Sequence, residues 1–234
     1  MHLAISSALV GLLALGMLLW WYPPPFFMFD GGWQVLRLIV LVDVVLGPLF
    51  TLIVFDRAKP ALRRDLAVIA LVQSVAFVYG AWIMHAYRPA FIVYAEHAFY
   101  SVNWRDIERA TPDSGRIGNL AARARGPTPV IAELPADRAE RARLFARMTG
   151  GGPSITDYGD FYRPLDTTGF ARIARESADI DALARGDASI TAELARVRAA
   201  HPGRKLVFVP LDCRYGLIML VFDREKMAIV DAMT

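Results

Sequence analysis

The sequence predicts a three-span α-helical transmembrane bundle followed by an α+β domain that ends in an antiparallel β-meander, and three observations carry that expectation. Charge is divided unevenly: the first 87 of 234 residues hold nine of the 49 Asp, Glu, Lys and Arg side chains, and the last 147 hold forty. Three apolar runs in the first part are each long enough to cross ~30 Å of hydrocarbon as a helix. Beyond them the pattern passes from strand to helices and back to strands, the order of an α+β fold. A mean hydropathy of +0.35 with 55% hydrophobic residues is therefore an average over two unlike parts, 1–88 and 89–234. It excludes a single soluble globular domain and a disordered chain.

The first span is predicted from Ala4 to Tyr22. No charged side chain occurs between Leu3 and Phe29, Trp20, Trp21 and Tyr22 form an interfacial aromatic belt, and Pro23, Pro24 and Pro25 end the helix. The run lacks a basic stretch before it and a small-x-small site ahead of the prolines, so a retained anchor is expected and not a cleaved signal. The second span is predicted from Leu36 to Phe55 and the third from Leu66 to Tyr87, with Arg37, Asp56, Arg63, Arg64, Asp65 and Arg88 at their borders. The loop that joins them carries Arg57, Lys59, Arg63 and Arg64, so the positive-inside rule places it and the N-terminus in the cytoplasm. Everything after Arg88 is then periplasmic if the membrane is a bacterial inner membrane.

Polar groups inside these spans need partners, because an ionisable side chain in hydrocarbon is costly. Asp43 is the foremost. A hairpin of spans two and three centred near Ala61 places Tyr79 opposite Asp43 as a hydroxyl donor and Gln73 opposite Leu49. Pro48 frees the carbonyl of Val44, which Gln73 or Thr51 is expected to satisfy. Gly47 and Gly80 allow close approach of the two backbones. The set holds the hairpin together or also docks another protein's transmembrane helix; three spans with one acid make a poor ion conduit.

In the second part, Phe91 to Val102 reads as a strand, and Thr111 to Pro135 as loops with one short helix. Helices are expected from Ala136 to Met148, with Ala139, Ala142, Phe145 and Met148 or their neighbours on one face, from Thr168 to Ala184, and from Asp187 or Ser189 to His201. Leu206 to Pro210, Leu217 to Phe222 and Met227 to Val230 form the closing meander.

Several chemistries find no support in the residues. The 21 basic and 19 acidic side chains after residue 87 alternate without a basic stripe, which argues against nucleic-acid binding. Cys213 is the one cysteine, so no internal disulfide or cysteine cluster forms. His2, His85, His97 and His201 lack ligand spacing, and no metal or cofactor is expected. Gly150, Gly151 and Gly152 end a helix instead of opening one, unlike a phosphate loop. Asp157, Asp160 and Asp166 in the sequence ITDYGDFYRPLD are candidates for paired carboxylates, but turn and capping roles suit them better. Tyr158, Phe161 and Tyr162 in that loop are expected to pack on the domain or on a partner, and exposure there would favour an interface.

The run DGGWQVLRLIVLVDVVLGPLFTLIVFDRAK from Asp30 to Lys59, with RRDLAVIALVQSVAFVYG from Arg63 to Gly80 and YRPAFIVYAEHAF from Tyr87 to Phe99, resembles the TfpX/TfpZ family of type IV pilin accessory proteins. The most specific matches are Val42, Asp43, Gly47, Pro48 and Thr51, then Asp65, Leu66, Gln73, Tyr79 and Gly80, and Arg88 with Pro89 at the domain junction. The resemblance implies a non-enzymatic inner-membrane protein paired with one cognate major pilin, which it helps to become stably assembled into pili. It also implies contact with the lipid bilayer and with other inner-membrane components of pilus assembly. The family's Asp-Arg-Phe is replaced here by His97, Ala98 and Phe99, so His97 and Phe99 join Tyr158, Phe161 and Tyr162 as candidate periplasmic contacts. Two alternatives remain: an envelope membrane enzyme using Asp43 or the Asp157–Asp166 loop, and a structural subunit of the pilus machine.

Overall fold

The computed structural model describes residues 2–54, 61–111, 117–118, 120, 126–177 and 179–234. The chain forms two compact units, Met1–Arg88 and Pro89–Thr234. The first contains three apolar helices, α1 (Leu3–Trp21), α2 (Gly32–Val54) and α3 (Leu62–Ala86). At ~1.5 Å per residue each is long enough to cross or nearly cross ~30 Å of hydrocarbon. The apolar residues that face outward, among them Leu12, Leu52, Ile53, Leu71 and Val75, are the surface a bilayer would cover. Inside, Val10, Met17, Tyr22, Leu36, Ile39 and Met84 form a common core, and the Tyr22 hydroxyl donates to the Met84 carbonyl at 3.0 Å.

Two helix starts differ from expectation. α2 begins four residues before Leu36 because Gly31 takes a left-handed conformation, φ 96°, that turns the chain into the helix. α3 begins at Leu62 and includes Arg63, Arg64 and Asp65, since charge limits what enters a membrane and not what forms a helix. The expected cytoplasmic loop with Asp56, Arg57 and Lys59 lies outside the described residues.

α2 contains a wide π-helical turn from Val40 to Leu46, in which the Gly47 amide reaches back to the Val42 carbonyl. Pro48 follows directly. Its ring crowds the carbonyl four residues back, and widening the preceding turn relieves that contact. Thr51 Oγ1 donates to the Gly47 carbonyl at 2.9 Å, so the expected Thr51 compensation occurs one turn further along than Val44.

The second unit is built on one seven-stranded mixed sheet of order β4-β3-β1-β2-β5-β6-β7. Its strands are β1 (Pro89–Ala95), β2 (Ala98–Asn103), β3 (Thr128–Ala132), β4 (Tyr162–Pro164), β5 (Leu206–Cys213), β6 (Gly216–Asp223) and β7 (Ala228–Met233). β5, β6 and β7 are antiparallel neighbours, the predicted meander, while β1–β3 and β2–β5 are parallel. The expected single strand from Phe91 to Val102 is instead a hairpin, because Glu96 and His97 both turn left-handed and fold β2 back on β1. β3, hidden in the segment read as loops, pairs β1 in parallel through contacts distant in sequence.

Each longer helix of this unit starts at an Asn or Asp whose side chain accepts an orphan amide. Asn103 caps α4 (Trp104–Ala110), Asp137 caps α5 (Arg138–Thr149) and Asp166 caps α6 (Thr167–Glu176). Asp179 caps α7 (Ile180–Ala184) and Asp187 caps α8 (Ala188–Ala200). The single helix expected from Thr168 to Ala184 is therefore two, since Ser177 goes extended after α6 and Asp179 opens a new cap. α5 buries Leu144 and leaves Phe145 exposed, so of Phe145 and its neighbours it is Leu144 that faces the core. α8 buries Leu194 and Val197 against Phe208, Val221 and Met233. On the opposite side of the sheet, Phe170 of α6 lies 5.7 Å from Phe222.

Asp223 ends β6 and ties the last turn together, accepting from the amides of Glu225 and Lys226 and from Arg204 at 3.0 Å. The Lys226 amide, helped by Glu225 and Arg204 against the cost of burial, holds its carboxyl below the usual carboxylate range. A depressed folded-state pKa means that the stabilisation is full above the unfolded value of ~3.9 and disappears as pH falls through the lower folded value. Asp223→Asn should thus remove part of the acid sensitivity of this unit, read as a shallower loss of amide protection between neutral and strongly acidic pH. An unchanged acid profile would show that Asp223 does not carry it.

Candidate functional site

Helix phase decides which polar residues of the spans meet. Gln73, Phe77, Gly80 and Met84 recur at spacings of four, three and four on α3 and face its neighbours, as do Ser6, Val10 and Met17 on α1. The side chains of α1, α2 and α3 enclose a groove of about 570 Å³ whose lining includes Ser6, Asp43, Thr51, Gln73, Ser74 and Phe77. Asp43 is buried there, in the π-helical turn of α2.

Within the groove's wall Gln73 sits on Gly47. A Cβ placed on Gly47 would lie 1.7 Å from Gln73 Nε2 and 2.8 Å from its Cδ. Glycine is thus what lets the amide reach α2. Gly80 plays a milder part, with a Cβ there 3.0 Å from two atoms of Ile39. Both atoms of the Gln73 amide, Nε2 and Oε1, are buried and make no hydrogen bond. Gln73 therefore does not satisfy the backbone freed at Pro48, as the sequence suggested; its amide lies over Gly47.

Tyr79 also departs from expectation. Its neighbour Gly80 faces α2, so Tyr79 points about 100° away; it is 61% exposed and stacks on Trp82 at 5.9 Å. It is part of the outward surface, on a different face from buried Asp43. Ser6 and Ser74, which the sequence reading passed over, complete the polar lining. Ser6 was legible from its phase with Val10 and Met17.

At the domain junction Arg88 donates to the His85 carbonyl at 2.5 Å, closing the end of α3, and Pro89 is the first residue of β1, where a missing amide is tolerated. Of the candidate contacts in the second unit, His97 is 74% exposed at the β1–β2 turn. Phe99, Tyr158 and Tyr162 are buried in the core and Phe161 is half-buried, so they do not form an exposed aromatic surface. Phe99 stacks on Phe222 at 5.5 Å, Tyr158 lies beneath Arg147 at 5.1 Å, and Tyr162 meets Phe91 at 5.3 Å.

The acids of the Asp157–Asp166 loop have structural partners. Asp157 accepts from the Ser154 amide at 2.9 Å, and burial, aided by Asp106, raises its carboxyl above the usual range despite that bond. Asp166 accepts from Gly169 at 2.7 Å as the cap of α6, and Asp160 is exposed. Among the described residues no group of three His, Cys, Asp or Glu side chains could hold a metal ion.

Three helices long and apolar enough to span a membrane, around a mainly apolar groove that holds a few polar groups, and joined to an α+β unit, mark a membrane protein. Over 95 residues the chain is 32% identical to the fimbrial assembly protein of serogroups C1 and C2 of Dichelobacter nodosus, a match covering 40% of this chain and 72% of that protein. The chain belongs to this fimbrial assembly protein family. It is also 32% identical over 95 residues to the serogroup I protein and 33% over 93 residues to the serogroup E1 protein of the same organism. Those matches span only 37% and 36% of the two relatives' length. No family model and no solved structure matches the chain.

Proposed function

We propose that this protein is an inner-membrane accessory factor of the TfpX/TfpZ type, which binds a cognate type IV major pilin without chemistry of its own and supports the pilin's assembly into pili. In this reading the N-terminus is cytoplasmic and the α+β unit periplasmic. A pilin awaiting assembly has one long apolar helix in the membrane and a globular head outside, and this chain offers a helical bundle and a folded domain to match. The observation that carries the proposal is the groove with the buried amide of Gln73. Hydrogen-bonding groups in hydrocarbon find partners, and polar side chains are a principal means by which transmembrane helices associate. A pilin helix entering the groove would supply donors and acceptors to Gln73. The likeness to fimbrial assembly proteins supports the process.

The test is co-purification of the pilin from solubilised membranes with the tagged full-length protein. Gln73→Leu keeps the apolar volume and removes the amide, and should retain at least fivefold less pilin at equal expression. Equal recovery would remove the groove as the seat, and failure of the wild type to retain any pilin would remove the accessory role itself.

A further inference from the structure

A second pocket, of about 240 Å³, lies wholly within the α+β unit at the β1–β2 turn. Ala95, Ala132, Met148 and Ile155 line its apolar part, and Leu134 and Phe145 stand on its rim 47% and 46% exposed. Sites for drug-sized ligands run to ~300–1,000 Å³, so this one has room for about a single amino-acid side chain.

Its polar wall is unevenly satisfied. Glu176 accepts from the Tyr94 hydroxyl at 2.8 Å and faces His97 Nδ1 at 3.6 Å. Arg172, one helical turn earlier on α6, lies over the Tyr94 ring at 6.0 Å, and its Nε is buried without a hydrogen-bond acceptor. A buried donor with no acceptor is rare in folded proteins, and the carboxylate on the same wall is already engaged. The turn at the pocket's mouth adds a second anomaly. Glu96 and His97 hold φ of 48° and 69°, the two left-handed positions of a tight hairpin that Asn-Gly normally fills. Backbone of this kind persists where surrounding structure enforces it, and it concentrates at binding sites.

We propose that this pocket receives one apolar side chain of a protein partner, with a carboxylate beside it on the partner accepting from Arg172. The volume selects a single side chain, the lining selects an apolar one, and the unpaired guanidinium donor selects the adjoining acid. For the partner's identity the inference rests on the proposed function: the segment belongs to the globular head of the pilin.

The first experiment needs no pilin. Full-length protein with 13C-methyl methionine in lipid nanodiscs is titrated with N-acetyl-L-phenylalanine and with its uncharged amide. The Met148 methyl resonance, assigned by its loss in Met148→Leu, should shift saturably with the acid and bind it at least tenfold more tightly than the amide. Arg172→Gln should abolish that preference. Equal binding of acid and amide, no shift at Met148, or an intact preference in Arg172→Gln would overturn the proposal. The second experiment compares pilin capture by wild type, Arg172→Gln and Phe145→Glu, the last on the half-exposed rim, at equal melting temperature. A fall of at least fivefold in both variants is expected. Undiminished capture overturns this inference and leaves the accessory function standing. A wild type that captures no pilin overturns that function and the pilin as occupant, while the acid preference at Met148 would still identify the pocket.

Discussion

Replacing Tyr162 by alanine should cost the α+β unit about 3–5 kcal/mol, the range for truncating a large buried aromatic side chain. Tyr162 is fully buried. Its ring meets Phe91 edge-on at 5.3 Å, and its hydroxyl donates to the Thr156 carbonyl. Burial, with Asp157 nearby, raises the hydroxyl's pKa further, so it stays a donor at every physiological pH. Truncation would open a cavity beneath β1 and β3 and strip Thr156 of its donor. Against a typical domain stability of ~5–15 kcal/mol, that is a third or more of the total at mid-range. Tyr162→Phe keeps the ring and should cost only ~1–3 kcal/mol, the penalty of one unsatisfied buried acceptor. Hydrogen exchange of β1 and β3 amides in the full-length protein reads both effects. If Tyr162→Ala left protection intact but reduced pilin capture, Tyr162 would be a surface contact after all.

The second large effect is expected at Gly47. Leucine there meets Gln73 where a bare Cβ would already lie 1.7 Å from Nε2. The amide is the movable end of a long side chain, so Gly47→Ala should push it aside at ~1–3 kcal/mol, the usual cost of overpacking. Leucine cannot be met by that adjustment alone and must separate α2 from α3. Gly47→Leu should abolish pilin capture and lower the melting temperature of the solubilised protein, with Gly47→Ala in between. Adding Gln73→Ala to Gly47→Ala should restore much of the melting temperature, because the three atoms nearest the added Cβ all belong to Gln73. Simple additivity of the two single effects would contradict the contact, since residues that touch are coupled.

These two residues also show how far sequence reasoning reaches. Gly47 stood out beside Pro48, and folding spans two and three into a hairpin placed Gln73 opposite Leu49, two residues from the Gly47 it meets. Counting along a hairpin sets depth but not rotation. It placed Tyr79 against Asp43, whereas the phase of α3 turns Tyr79 outward beside Trp82. Tyr162 was visible only as an aromatic residue in a loop rich in Asp and Tyr. Whether such a residue is a core or a contact depends on what covers it: Tyr162 opens β4, a three-residue strand without a periodic signature, and packs with Phe91, Ile107 and Val130, all distant in sequence.

By itself the sequence determined the three apolar spans, the α+β character of the remainder, the closing meander and the irregular helix around Pro48. These follow from local composition, periodicity and the covalent constraints of proline and glycine, which act within a few residues. Only the tertiary structure decided that the amide of Gln73 lies buried over Gly47, that His97 stays at the surface while Phe99 is in the core, and that Arg172 borders a pocket with its Nε unpaired. Each of those depends on side chains far apart in the chain meeting at a particular rotation and register, and a single sequence does not encode that in any local pattern.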